Sequence, residues 1–90
     1  MRRVRLKAAG FVQGVGYRMF IHMAATELYL CGWVRNSPDG SVDIDAQGTE
    51  EAVEELIRRA GKGPSRSRVS SLLVEELLPS PEMTGFSVMM

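Results

Sequence analysis

The stretch Gly10-Phe11-Val12-Gln13-Gly14-Val15-Gly16-Tyr17-Arg18 closes a strand-like run and opens a helix-like one. Upstream of it, Val4, Leu6 and Ala8 alternate with Arg3, Arg5 and Lys7. From Arg3 to Phe11 this is the period-two pattern of a strand with one buried face. Downstream, Phe20, Met23, Ala24, Leu28 and Cys31 recur every three or four residues, which predicts an amphipathic helix over Met19 to Cys31 ended by Gly32. The glycines between these two runs allow turns closed to other residues and a close approach of backbone to a ligand. A helix start presents amides with no partner inside the helix, and Val15, Gly16 and Tyr17 offer no side chain to cap them. Arg18 adds a planar, permanently charged fork suited to phosphate oxygens, so the stretch reads as an anion cradle.

Working outward, Trp33 to Asn36 and Ser41 to Gln47 read as two strands joined by the turn Ser37-Pro38-Asp39-Gly40. Thr49 is placed to cap a second helix. Glu50 and Glu51 lie in its first turn, Ala52, Val53, Leu56, Ile57 and Ala60 form its apolar face, and Gly61 is expected to end it. Val69 to Leu78 reads as a strand broken by Pro79 and Pro81, and Phe86-Ser87-Val88 as a short extra C-terminal strand. The order is that of an α+β ferredoxin-like βαββαβ sandwich, with an antiparallel sheet, two helices on one face and the other face largely open. In such a unit the first strand and the strand after the first helix run parallel. Arg18 and Asn36 should therefore converge on one pocket mouth although a whole helix separates them.

Ninety residues suit one domain, 1–90, and leave no room for a second catalytic one. With 44% hydrophobic and 24% charged residues, and no repeat or low-complexity tract, the composition excludes a disordered chain. Eleven basic residues balance eleven acidic ones, so the net positive field used in nonspecific nucleic-acid binding is missing and a small anionic ligand fits better. The single cysteine, Cys31, reads as a buried thiol in a reducing compartment. Met1-Arg2-Arg3 is basic without a following apolar leader, and no run is long enough to span a bilayer; the expectation is a cytoplasmic protein with no membrane partner. Nucleotide motifs fail too, because Met19 stands where a GxGxxG would need its last glycine and no GK[ST] occurs.

The segment Gly10 to Arg18 and the segment Gly32-Trp33-Val34-Arg35-Asn36-Ser37-Pro38-Asp39-Gly40-Ser41-Val42, followed by Gly48, resemble in order and separation the two signature motifs of the acylphosphatase family. Gly63-Pro64 and Phe86 extend the likeness over nearly the whole chain. The resemblance implies hydrolysis of a carboxyl-phosphate mixed anhydride to a carboxylate and inorganic phosphate, by a monomer, with no metal or cofactor. It implies that the amides of Gln13, Gly14, Val15, Gly16, Tyr17 and Arg18 wrap the phosphoryl group, that Arg18 binds its oxygens and that Asn36 holds the attacking water. Phosphoryl transfer asks a protein mainly to position groups and stabilise charge on the equatorial oxygens, which amides and an arginine fork supply. A leaving carboxylate is a weak base that needs no general acid. Asn36 cannot ionise but can orient water, and the water's proton is expected to leave through the substrate phosphate.

Other polar residues read as structural. His22, one turn beyond Arg18, is expected to be a structural histidine, and Asp43 and Asp45 to lie on a solvated strand face rather than in a metal site. Arg58, Arg59, Lys62, Arg66 and Arg68 form a mild basic patch complementing the end of the second helix, and the methionines read as core filler or chain end. Two alternatives accompany the enzyme reading. One is a noncatalytic or carbamoyl-phosphate-handling domain, as found at the front of larger hydrogenase-maturation proteins. The other is an RNA-binding module, disfavoured because the first strand has one aromatic, Phe11, and the third has none. A phosphate-centred site open to solvent is expected to tolerate a broad range of acyl groups.

Overall fold

The computed structural model describes residues 1–90, with β1 (Arg2–Phe11), α1 (Tyr17–Glu27), β2 (Cys31–Asn36), β3 (Val42–Gly48), α2 (Glu50–Lys62), β4 (Arg68–Leu77) and β5 (Phe86–Met89). The strands form one sheet in the order β4-β1-β3-β2-β5. β1 pairs antiparallel with β3 and β4, and β2 antiparallel with β3. This is the ferredoxin-like α+β arrangement with its extra C-terminal strand. β5 enters beside β2 in the parallel sense, from Gly32 opposite Phe86 to Arg35 opposite Met89, so the sheet is mixed rather than wholly antiparallel. The chain after β4 has to cross from one sheet edge to the other, and the Gly32 amide, donating to the Gly85 carbonyl at 2.9 Å, fixes where it lands.

Period-two alternation places Val4, Leu6 and Ala8 of β1 and Val42, Ile44 and Ala46 of β3 in a core with Val34. Ile21, Ala24 and Ala25 of α1 and Val53, Leu56 and Ala60 of α2 complete it. Tyr17 is fully buried, and its hydroxyl donates to the Ala60 carbonyl at 2.7 Å, tying the start of α1 to the end of α2. Burial pushes the Tyr17 phenol above its usual range.

Two helix ends differ from the sequence expectation. α1 stops well before Gly32: Tyr29 takes the left-handed conformation at φ 57°, and the Leu30 amide reaches back to the Ala25 carbonyl at 2.9 Å. Burial of Leu30 holds this turn closed without a glycine. Cys31 and Gly32 belong to β2, with Cys31 half-buried. Gly32 is needed there for close strand approach, since a Cβ would lie 1.7 Å from the Asp45 carbonyl oxygen. α2 begins as expected, with Thr49 Oγ1 accepting from the Ala52 amide at 3.1 Å. It runs through Gly61 and ends at Gly63, whose φ is 70° and whose amide donates to the Arg59 carbonyl at 2.8 Å.

The face of the sheet away from the helices is open but not simply solvated. Asp45 is completely buried there, accepting from Arg3 at 3.0 and 2.9 Å and from Arg5 at 3.2 and 2.9 Å. Arg5 and Arg35 in turn both lie over the Trp33 indole, 4.8 and 4.7 Å from the ring centroid. The solvated-face reading of Asp45 thus fails because the Arg3 and Arg5 side chains close over it. Burial alone would raise the Asp45 carboxyl, but the Arg3 and Arg5 guanidiniums outweigh it and hold the group below the usual carboxylate value.

Asp45→Asn should therefore cost about 2–3 kcal/mol at pH 7, less than a fully buried pair because both arginines keep some contact with water. A depressed folded-state value means that the stabilisation is complete above the unfolded value and is lost as pH falls through the folded one. Urea unfolding of both proteins should show the gap constant near neutrality and closing below about pH 4. A gap independent of pH would contradict this account.

Candidate active site

β1 and β2 are both antiparallel to β3, so they run parallel to each other and leave the sheet at the same edge. The loop after β1 and Asn36, the last residue of β2, consequently border one cavity of about 200 Å³. Gly14, Gly16, Arg18 and Asn36 line it, with Val12, Tyr17, Met19 and Val88 as its apolar parts.

The loop conformation depends on its glycines. Gly14 and Gly16 lie at φ 75° and 83°, and a Cβ at either would meet nothing within 4 Å. Backbone geometry rather than crowding demands glycine at both, as it does where a chain must turn through left-handed conformations. Gly16 stands at the cap position of α1 without a side-chain hydrogen bond, and no amide from residue 14 to residue 19 donates to a backbone carbonyl. A row of unpaired donors at a helix N-terminus attracts an anion.

Arg18, in the first turn of α1, donates from Nη1 to the Met89 carbonyl at 2.9 Å, so β5 holds the guanidinium on one side. Asn36 Oδ1 is buried and has no hydrogen-bond partner. Such an acceptor costs about 1–3 kcal/mol unless something arrives to satisfy it. Gln13 acts through its side chain. Nε2 donates to the carbonyls of Ser37 at 2.8 Å and Ser41 at 2.9 Å, linking the loop to the turn that follows Asn36. Within that turn the Ser37 amide donates to the Ser41 carbonyl at 2.8 Å. Asp39 accepts from both the hydroxyl and the amide of Ser41, which hold its carboxyl well below the usual range.

Of the residues singled out in the sequence, Gly14, Gly16, Tyr17, Arg18 and Asn36 line the cavity. Gln13 and Val15 flank it, Val15 with its side chain in the core. His22 lies outside the lining, its ring 6.2 Å from that of Phe86. Arg58 and Arg59 pair with Glu55, which they pull down to about 2, so this part of the basic patch is neutralised. No group of three or more His, Cys, Asp or Glu side chains comes together in a metal-binding arrangement. Sequence reasoning missed the Gln13 clamp and the Met89 carbonyl. A long amide side chain inside a glycine loop was the one signal available for the first; a backbone carbonyl gives none.

The sequence profile of the acylphosphatase family matches residues 4–88. An acylphosphatase from Caldivirga maquilingensis is 51% identical over 87 residues, covering 96% of this chain and 92% of that protein. The crystal structure of acylphosphatase from Bacillus subtilis superimposes with a TM-score of 0.96 at 36% identity, covering all of both chains. Full-length HypF in its phosphate- and nucleotide-bound form superimposes with a TM-score of 0.89 at 29% identity, covering 99% of this chain but 12% of that one. The chain belongs to the acylphosphatase family and is an enzyme of acyl phosphate hydrolysis.

The clamp has a measurable consequence. Both turn carbonyls keep another partner in Gln13→Leu, so stability should fall by only about 1 kcal/mol. Misplacement of Asn36 should lower turnover of acetyl phosphate on the order of ten- to a hundredfold. Urea unfolding and steady-state kinetics on the same variant would separate the two effects, and undiminished turnover would rule out the positioning role.

Proposed function

We propose that the protein cleaves acyl phosphates by direct attack of water on the phosphoryl group, with Arg18 and the loop amides holding the phosphate and Asn36 holding the water. The amides of Gln13 to Arg18 face three equatorial oxygens whose charge must be carried through the transition state, and the Arg18 fork shares that charge. Water lodged against Asn36 Oδ1 forms the new O–P bond as the acyl O–P bond breaks. The carboxylate departs with the bonding pair, and the water's proton passes to a phosphoryl oxygen. No side chain has to ionise for this, because the carboxylate leaves unprotonated and Asn36 acts by hydrogen bonding alone.

The observation that carries this reading is that Asn36, whose buried Oδ1 has no hydrogen-bond partner, lines the same cavity as Arg18 and the glycines of the loop with its unpaired amides. An unsatisfied acceptor near a row of unpaired donors suits a water and an anion bound side by side. The likeness to HypF, covering only 12% of that chain, supports a second reading, a domain that handles carbamoyl phosphate or binds without catalysis. An RNA-binding role has less support, since the Trp33 ring is already occupied by the guanidiniums of Arg5 and Arg35.

Purified protein should release inorganic phosphate from acetyl and benzoyl phosphate in the presence of a chelator. Arg18→Ala should lower kcat/KM by about 10³-fold or more, and Asn36→Ala by about 10²–10³-fold, mostly in kcat. Folded protein without turnover, or with turnover that survives both substitutions, would refute the mechanism.

A further inference from the structure

β4 forms one edge of the sheet, and its outer side has no strand partner. The two edges are unequal: β5 has four residues, whereas β4 has ten, with no lysine or proline among them. Natural edge strands are blunted by shortness, charge or proline, and Leu72-Leu73-Val74 at the centre of β4 has none of these. Leu73 and Val74 are 63% and 44% exposed.

A bulge decides which β4 side chains share a face. Ser71, Leu73 and Glu75 stand opposite Ala9, Lys7 and Arg5, on the helix-free side. The register then shifts between Ala9 and Gly10, so that Ser70 is the extra residue, Val69 stands opposite Gly10 and Arg68 opposite Phe11. That shift puts Arg68 on the same face as Glu75, while Val69 and Leu72 pack against the core on the other. Both Arg68 and Glu75 are exposed, and no ion pair within the chain includes either. With Ser70 bulged out, Val69 and Arg68 lie two and three ladder steps before Leu72, and Val74 and Glu75 the same two and three after it.

From this symmetry we infer that two copies of the chain pair β4 to β4, antiparallel about a two-fold axis at Leu72, and join their sheets into one. The axis sets Leu72 against its own copy, Val69 against Val74 and Arg68 against Glu75. Apolar β-branched pairs and opposite charges directly across a ladder are both favourable. Parallel pairing in register would instead set Arg68 beside Arg68 and Glu75 beside Glu75. Because the contact is the same patch on both copies, it uses up both β4 edges and closes at the dimer. β4 supplies no residue to the cavity between the glycine loop and Asn36, so the inference stands apart from the proposed reaction.

Sedimentation velocity from micromolar to millimolar concentration should show a reversible monomer–dimer equilibrium. Arg68→Glu and Glu75→Arg each turn the attractive pairs repulsive and should each weaken the dimer on the order of thirtyfold. Mixing the two variants restores opposite charge at every pair, and the double variant restores it within one chain, so both should dimerise like the unmodified protein. Matching urea midpoints would show that the substitutions act on the contact and not on folding, as expected for exposed, unpaired residues. A monomer across the whole range, single variants that dimerise undiminished, or no recovery on mixing would overturn the proposal. Growth past the dimer would overturn the closed two-fold.

Discussion

The candidate site depends on β3 lying between β1 and β2. Val42 pairs with Ala8 on one side and with Asn36 on the other, which sets the two outer strands level with each other across it. Hydrogen bonding of both strands to one partner brings the loop after β1 and the end of β2 to the same edge without direct contact between β1 and β2. A slip of one residue in the β2–β3 register would turn every β2 side chain to the opposite face and move Asn36 out of the cavity. Burial of Val34 beside Ile44 in the core opposes such a slip, so the hydrophobic pattern that folds the sheet also aims the asparagine. Gln13 adds a local constraint by bonding two carbonyls of the turn that Asn36 leads into.

The sequence carried the elements whose signals are local. Alternation around Val4, Leu6 and Ala8 identified the first strand, and Thr49 identified the start of the second helix, because periodicity and capping act over a few residues. Glycine proved ambiguous because it serves two purposes. Gly32 resembled a helix terminator but is present for close approach to the Asp45 carbonyl, while the helix ends at Glu27, ahead of the left-handed Tyr29. Leu28 and Cys31 prolonged the apolar spacing past the real end, since a buried turn and a following strand can continue a helical period by chance. Between Gly61 and Gly63, spacing alone could not distinguish a helical glycine from the left-handed residue that stops the helix. The convergence of Arg18 and Asn36 on one cavity was legible from topology, whereas the Met89 carbonyl was not, because backbone groups carry no sequence signal.

Alternation also told which face Asp45 occupies, but not what lies over it. Arg3 and Arg5 meet at that carboxylate, and Arg5 and Trp33 come together because their strands flank Asp45 of β3 at the same level. The helix-free face is thereby covered by long side chains of both charges paired with one another, without a second layer of helices. Lys7 continues the pattern between Asp39 and Asp43 at 3.3 and 3.2 Å, and Asp39 belongs to the turn that Gln13 holds. The electrostatic strip on the open face and the turn after Asn36 are therefore joined through Lys7 and Asp39, two polar contacts from Gln13.

That connection bears on how the cavity stays open. Unpaired amides, an uncapped helix start and an orphan buried acceptor each oppose folding, and a chain free to relax would close the loop onto them. Relaxation is obstructed on three sides: Tyr17 is fixed by the core and by the Ala60 carbonyl, Arg18 by Met89, and the Asn36 turn by Gln13. The donors are thus held apart by contacts that lie outside the cavity. Preorganisation of this kind lets the site meet an anion without reorganising during the reaction, and in phosphoryl transfer that is the larger part of what a protein can contribute.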